Sequence, residues 1–173
     1  SDVYKRQVQL HTHYPMHQHL CVESAGQMFD AATSLFYNVD VAIMAAAVAD
    51  YTPEQVADKK IKREKTGDMS LNLKPTQDIA ACLGEMKERY PGKILVGFAL
   101  ETNNEQYNAE DKLKRKNLDF IVLNSLNDKG AGFRCDTNKI SIIDRSGKKD
   151  YPLKSKAEVA ADIIDHLVEV MNS

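Results

Sequence analysis

The chain predicts an α/β fold, a mainly parallel sheet with helices on both faces. Three observations carry this. Strand and helix signals alternate along the 173 residues. Ile94 to Phe98 and Phe120 to Leu123 are short apolar runs of the kind that form strands buried on both faces. Two helix starts carry capping boxes, Ser24 with Gln27 and Ser155 with Glu158, where side chain and backbone satisfy each other's free groups.

In chain order, Val8 to Leu10 is a short strand candidate, followed by a loop with Pro15. The helix opened by Ser24 places Met28, Ala31, Ala32 and Leu35 on one face. Val39 to Val48 reads as a buried strand that ends in Ala45, Ala46 and Ala47. Asp50 to Gly67 is polar, with Lys59, Lys60, Lys62, Arg63 and Lys65 clustered. Met69 to Leu73 alternates as a half-buried strand does. Thr76 is the expected N-cap of a helix carrying Ile79, Ala80, Leu83 and Met86, which Pro91-Gly92 ends. Asn103 to Lys116 is a charge-rich helix. A loop at Lys129 to Phe133 follows the Phe120 strand. Lys139 to Asp144 and Asp150 to Leu153 flank Ser146-Gly147 as a hairpin. The last helix has an apolar stripe of Val159, Ile163, Leu167 and Val170. No linker divides the chain, so a single domain is expected over residues 8–173. Ser1 to Gln7 fit nothing that follows and read as a scar of cloning or sequence assembly.

Composition narrows the function classes. Twenty-three Lys+Arg against 25 Asp+Glu leave a net charge of −2, and few aromatics lie among the lysines, which disfavours nucleic-acid binding. No stretch approaches the ~18 apolar residues of a membrane span. Cys21, Cys82 and Cys135 are too far apart for a Cys-x-x-Cys site and odd in number, which fits a reducing cytoplasm. His11, His13, His17 and His19 share one loop, but no acidic or cysteine ligand completes a convincing metal set nearby.

Ligands of parallel sheets sit beyond the C-terminal strand ends. Three such ends stand out: Ala46 to Asp50, Gly97 to Thr102, and Asn124. Gly97 allows close backbone approach. Phe98 suits base stacking or plain core packing. Asp50 suits a ribose or a cation. Lys112 and Lys116, spaced i, i+4, share one helix face, where they repel each other until a polyphosphate arrives or simply face solvent. Neither a Walker loop nor a Gly-x-Gly-x-x-Gly fingerprint occurs, which disfavours a nicotinamide-dependent oxidoreductase.

From about Val8 onward the chain resembles the phosphopantothenate–cysteine ligases of coenzyme A biosynthesis. The resemblance rests on Ala46 to Tyr51, Lys60 to Arg63, Gly97 to Thr102, Lys112 to Asp119 and Gly132 to Asn138, taken together and in order. It implies a Rossmann-like three-layer αβα fold, with a small antiparallel extension built from the regions of Met69–Leu73 and the C-terminal hairpin, pairing subunits into a homodimer. It also implies CTP as co-substrate, Mg²⁺, and joining of 4′-phosphopantothenate to L-cysteine through an acyl-cytidylate. FMN is expected only where a decarboxylase half precedes the ligase. Position by position, Lys60 matches the lysine of the cytidylate step. Ala45, Ala46, Asp50, Asp78, Ile79, Phe98, Lys112 and Lys116 match nucleotide contacts. The family's first strand, Gly-rich loop and first helix have no counterpart here, so impaired turnover of this polypeptide alone is expected. A non-catalytic nucleotide-binding module is the alternative.

Overall fold

The structure is a computed structural model and describes residues 18–55, 59, 69–125 and 136–173. The strand expected at Val8 to Leu10, the histidines His11, His13 and His17, Lys60, the Lys129 to Phe133 loop and Cys135 lie outside the described residues.

Helix α1 (Ala25–Phe36) starts at Ser24, whose hydroxyl accepts from the Gln27 amide at 3.2 Å. The Gln27 side chain returns the bond to the Ser24 amide at 3.1 Å, closing the expected box. Its inward side is Met28, Phe29, Ala32 and Phe36, whereas Leu35 is exposed. Strand β1 (Val41–Met44) is shorter than the apolar run that announced it. From Ala45 onward the chain leaves the ladder and runs as irregular backbone toward β2 (Tyr51–Pro53).

Strand β2 falls where only polar loop was expected. It pairs antiparallel with β3 (Leu73–Pro75), matching Tyr51 to Pro75 and Pro53 to Leu73. The strand expected at Met69 to Leu73 is therefore displaced toward the C-terminus, and its alternation is not half-buried: Met69, Leu71 and Leu73 are all exposed. Helix α2 (Ile79–Arg89) is capped by Asp78 and not by Thr76. Strand β4 (Ile94–Glu101), helix α3 (Glu105–Arg115) and strand β5 (Phe120–Ser125) follow as expected, with β4 longer than its apolar core. Strand β6 (Thr137–Asn138) pairs with β9 (Lys154–Ser155) in a ladder with no sequence signal. The hairpin is β7 (Ile140–Asp144) and β8 (Lys148–Asp150), antiparallel to one another. Helix α4 (Lys156–Met171) opens with the second capping box.

The main sheet has the order β1-β4-β5-β7-β8. β1, β4 and β5 run parallel, with Val41 opposite Ile94 and Val96 opposite Phe120. β7 and β8 extend the edge in antiparallel sense, so the hairpin continues this sheet and does not protrude with β3. Alternate residues of β4 and β5 serve different cores. Leu95, Ala99, Ile121 and Leu123 meet Phe36, Ile79, Leu83, Ala109 and Leu113 from α1, α2 and α3. Val96, Phe120 and Val122 meet Val159, Ile163 and Leu167 from α4. The result is three layers, with parallel strands ending together on one side. Truncating a fully buried ring such as Phe120 to alanine would cost roughly 3–5 kcal/mol.

Candidate functional site

The loop after β1 is the first wall of the site. Ala46 and Asp50 are exposed, and Val48 packs partly on the α1–α3 core. The Asp50 end is held from across the chain. The Thr76 amide donates to the Asp50 carbonyl at 2.8 Å, and the Thr76 hydroxyl donates to the Ala49 carbonyl at 2.6 Å. Thr76 thus ties the loop to the approach of α2, which begins three residues later with Asp78 as its cap.

Asp78 forms the second wall. Its carboxylate accepts from the Ala81 amide at 3.1 Å and lies 2.8 Å from the Lys116 ammonium. Burial pushes the Asp78 carboxyl upward, but the hydrogen bonds from Lys116 and Ala81 and the charges of Lys116 and Arg115 outweigh it and hold it below the ordinary value. Helix α3 supplies the third wall. Its Lys112 ammonium lies 2.6 Å from the Glu101 carboxylate, at the end of β4. The i, i+4 lysines expected to repel each other are thus each paired with a carboxylate.

These walls enclose a cavity of about 190 Å³ at the C-terminal end of β1, beside Gly97 and Phe98 in the middle of β4. Ala46, Asp50, Asp78, Ile79, Phe98, Lys112 and Lys116 all line it, over a floor that includes Met44, Leu118 and Ile121. Seven sequence-predicted residues therefore meet in one place. Ala45 does not line it; its amide donates to the Ile43 carbonyl at 3.2 Å, which removes that group from any ligand. Phe98 lines the cavity while packing against the α4-side core. Gly97 serves packing as well as access: a Cβ there would stand 2.5 Å from Cδ1 of Leu118. Thr76, Glu101 and Asn108 bond to the wall residues or to one another's partners, and no sequence pattern marks these roles, because the partners are remote in sequence or ordinary at helix ends.

A larger groove of about 600 Å³ lies between α3 and the β7–β8 turn, lined by residues including Gln106, Lys114, Arg145 and Lys148. It opens beside Leu118 and Ile143 near the start of β5, away from the C-terminal strand ends, and none of the sequence-predicted residues line it. Among the described residues no three His, Cys, Asp or Glu side chains converge as metal ligands, and no helix is long and apolar enough to cross a membrane.

Residues 5–171 match the family model of the DNA/pantothenate metabolism flavoprotein C-terminal domain. The chain belongs to this family. It is 44% identical over 147 residues to the coenzyme A biosynthesis bifunctional protein CoaBC of Bacillus subtilis, covering 84% of this chain and 35% of that protein. It is 56% identical over 152 residues to a cysteine/cysteine sulfinic acid decarboxylase of an unknown prokaryotic organism, covering 87% of this chain and 42% of that protein. The chain thus spans well under half of these relatives' length, and in CoaBC the matched stretch is the C-terminal part. Among solved structures, the C-terminal domain of a CoaBC superposes with a TM-score of 0.68 at 34% identity, over 87% of this chain and 64% of that one. A Cab2 variant in complex with phosphopantothenate-cysteine shares the fold, with a TM-score of 0.68 at 19% identity over 88% of this chain and 52% of that one.

Proposed function

We propose that this family member is the CTP-binding ligase domain of coenzyme A biosynthesis, joining 4′-phosphopantothenate to L-cysteine in the cytoplasm. The observation that carries the reading is the convergence of Lys112, Lys116, Asp50 and the start of α2 on one cavity at the end of β1. The likeness to CoaBC supports it. The cavity suits a phosphate group or a pyrimidine ring, with the rest of the nucleotide lying across its mouth. The Lys112 and Lys116 ammonium groups would neutralise phosphate charge. Backbone N–H groups near Ile79 would meet base or phosphate acceptors.

The reaction this site would serve has two halves. A carboxylate oxygen of 4′-phosphopantothenate bonds to the α-phosphorus of CTP, and pyrophosphate leaves. The amine of cysteine then attacks the acyl carbon, CMP leaves and the amine loses a proton, giving the amide. Phosphoryl chemistry of this kind is mostly positioning and charge neutralisation. Lys60 is proposed for the cytidylate step. Mg²⁺ would supply further neutralisation. A hard cation on a nucleotide needs only one or two protein carboxylates, and Asp50 at the cavity edge fits that need as well as it fits a ribose. No FMN role is proposed for these residues. The exposed side chains of Tyr51, Leu71 and Leu73 on and beside the β2–β3 ladder suit the pairing of two subunits into a homodimer.

Competition binding tests the reading. Labelled CTP should bind and be displaced by CTP well before ATP or NAD. Displacement by NAD first would point to an oxidoreductase. CTP binding with no substrate-dependent pyrophosphate from a relative-length protein carrying this domain would point to a non-catalytic module.

A further inference from the structure

Lys112 is held differently from a surface lysine. Its ammonium meets one carboxylate oxygen of Glu101 at 2.6 Å. The other Glu101 oxygen accepts from the Asn108 side-chain amide at 3.1 Å, and that amide also donates to the Asn103 carbonyl at 3.0 Å. The Glu101 side chain is only 14% exposed, while the Lys112 side chain is 36% exposed. Lys112 lines the cavity and Glu101 does not. The carboxylate thus stands behind the ammonium. The turn from β4 into α3 makes this possible, with Asn104 in the left-handed region at φ 47° bringing the helix back over the strand end.

A free lysine carries its charge on a flexible four-carbon stem and loses that freedom on binding. One short charge-assisted bond fixes the ammonium and leaves two of its three N–H donors for a ligand. We propose that Glu101, braced by Asn108, is a positioning residue that presents the Lys112 ammonium to a ligand phosphate. The inference rests on reading the cavity as a nucleotide-phosphate site. Asp78 differs: it pairs with Lys116 but lines the cavity itself, so a ligand would touch it. The carboxyl of Glu101 is pushed up by burial and pulled down further by Lys112 and Asn108, so it stays ionised at neutral pH.

The sign of one substitution separates positioning from simple charge masking. If Glu101 only masked Lys112, Glu101→Gln would free a positive charge and tighten CTP binding. If it positions Lys112, Glu101→Gln weakens CTP binding by roughly tenfold, the scale of one lost charge-assisted contact. Calorimetric titration of CTP and of cytidine measures both arms. Cytidine, lacking phosphates, should change less than about twofold, and in a Lys112→Ala background Glu101→Gln should add nothing further. Glu101→Asp should recover part of the loss. Tighter or unchanged CTP binding, equal losses for CTP and cytidine, or an additive loss in the Lys112→Ala background overturns the inference. Should Glu101→Gln fail to fold, Asn108→Ala removes the brace alone and should give a smaller loss of CTP binding; no loss overturns the inference. A folded wild-type protein that does not bind CTP overturns the reading of the site instead.

Discussion

The two ends of the sheet use lysine in opposite ways. At the end where β4 and β5 begin, Lys87 of α2 reaches Asp119 at 2.7 Å with side chains only 10% and 24% exposed. The same Asp119 oxygen accepts from the Leu95 amide at 2.7 Å. Nearby, Lys93 donates to the carbonyls of Tyr37 and Val39 at 3.1 and 2.6 Å and stands 5.4 Å over the Phe36 ring. These cations tie α1, α2 and the strand starts together. At the opposite end, Lys112 and Lys116 each keep a carboxylate partner but face a cavity. Similar ion pairs are fasteners where the chain closes over them and, on the proposed reading, binding elements where it leaves a side open. Solvent access, not pairing, separates the two roles.

The largest effect should come from breaking the closed end. Asp119→Ala strands a nearly buried ammonium and a strand amide, and should lower unfolding free energy by roughly 3 kcal/mol while leaving CTP affinity unchanged. Denaturant melts and CTP titration on the same sample check both halves; a matching loss of CTP affinity would erase the distinction between the ends. Next, Gly97→Ala drives a methyl group against Leu118, beneath the cavity, at a cost of about 1–3 kcal/mol. Pairing it with Leu118→Ala should relieve the clash, and a double variant worse than the sum of the singles would show that Gly97 is not there for Leu118.

At the open end the balance reverses. Lys116→Ala should change stability by less than about 1 kcal/mol, since the pair is partly exposed, while weakening CTP by about tenfold. The smallest effect is that of acid. Asp78, Glu101 and Asp144 all have carboxyls held below their ordinary values of 3.8, 4.5 and 3.8. For Asp144 burial pushes upward, and the Ser146 hydroxyl and amide, the Gly147 amide and the charge of His166 pull it down further. A depressed carboxyl stabilises the fold above its unfolded value and loses that contribution as pH falls through its lower folded value. The melting temperature should therefore be flat from about pH 7 to 5 and fall once the pH drops below about 4; a rise on acidification would reverse the sign.

How much of this could be read from the residues depended on range. Both capping boxes were legible because donor and acceptor lie three residues apart. Strands β4 and β5 were legible because burial on both faces leaves a continuous apolar run. β2, β6 and β9 were not, since two or three residues carry no period and their partners are distant. The cap at Thr76 was misplaced because Asp78 is an equally good capping residue two positions on, and the bond that occupies Thr76 reaches a carbonyl 27 residues earlier in the chain. In the site, the shared face of Lys112 and Lys116 followed from helix geometry, but their partners, 11 and 38 residues away, did not. A run of alanines also does not show which amide the strand end consumes, and the Ala45 amide turns back to the Ile43 carbonyl.

Gly84 links the two ends. It lies on the inner face of α2, where any Cβ would fall inside the Lys116 carbonyl, and its own carbonyl accepts from the Asn117 side chain at 3.1 Å. The absence of a side chain lets two helices touch backbone to backbone next to the residue that bears one of the cavity's charges. Even a single methyl at that contact would push the pair apart and shift Lys116 relative to the cavity without altering any group that lines it. Loss of binding by leverage, from a position outside the cavity, is the hallmark such a joint would leave in a mutational scan.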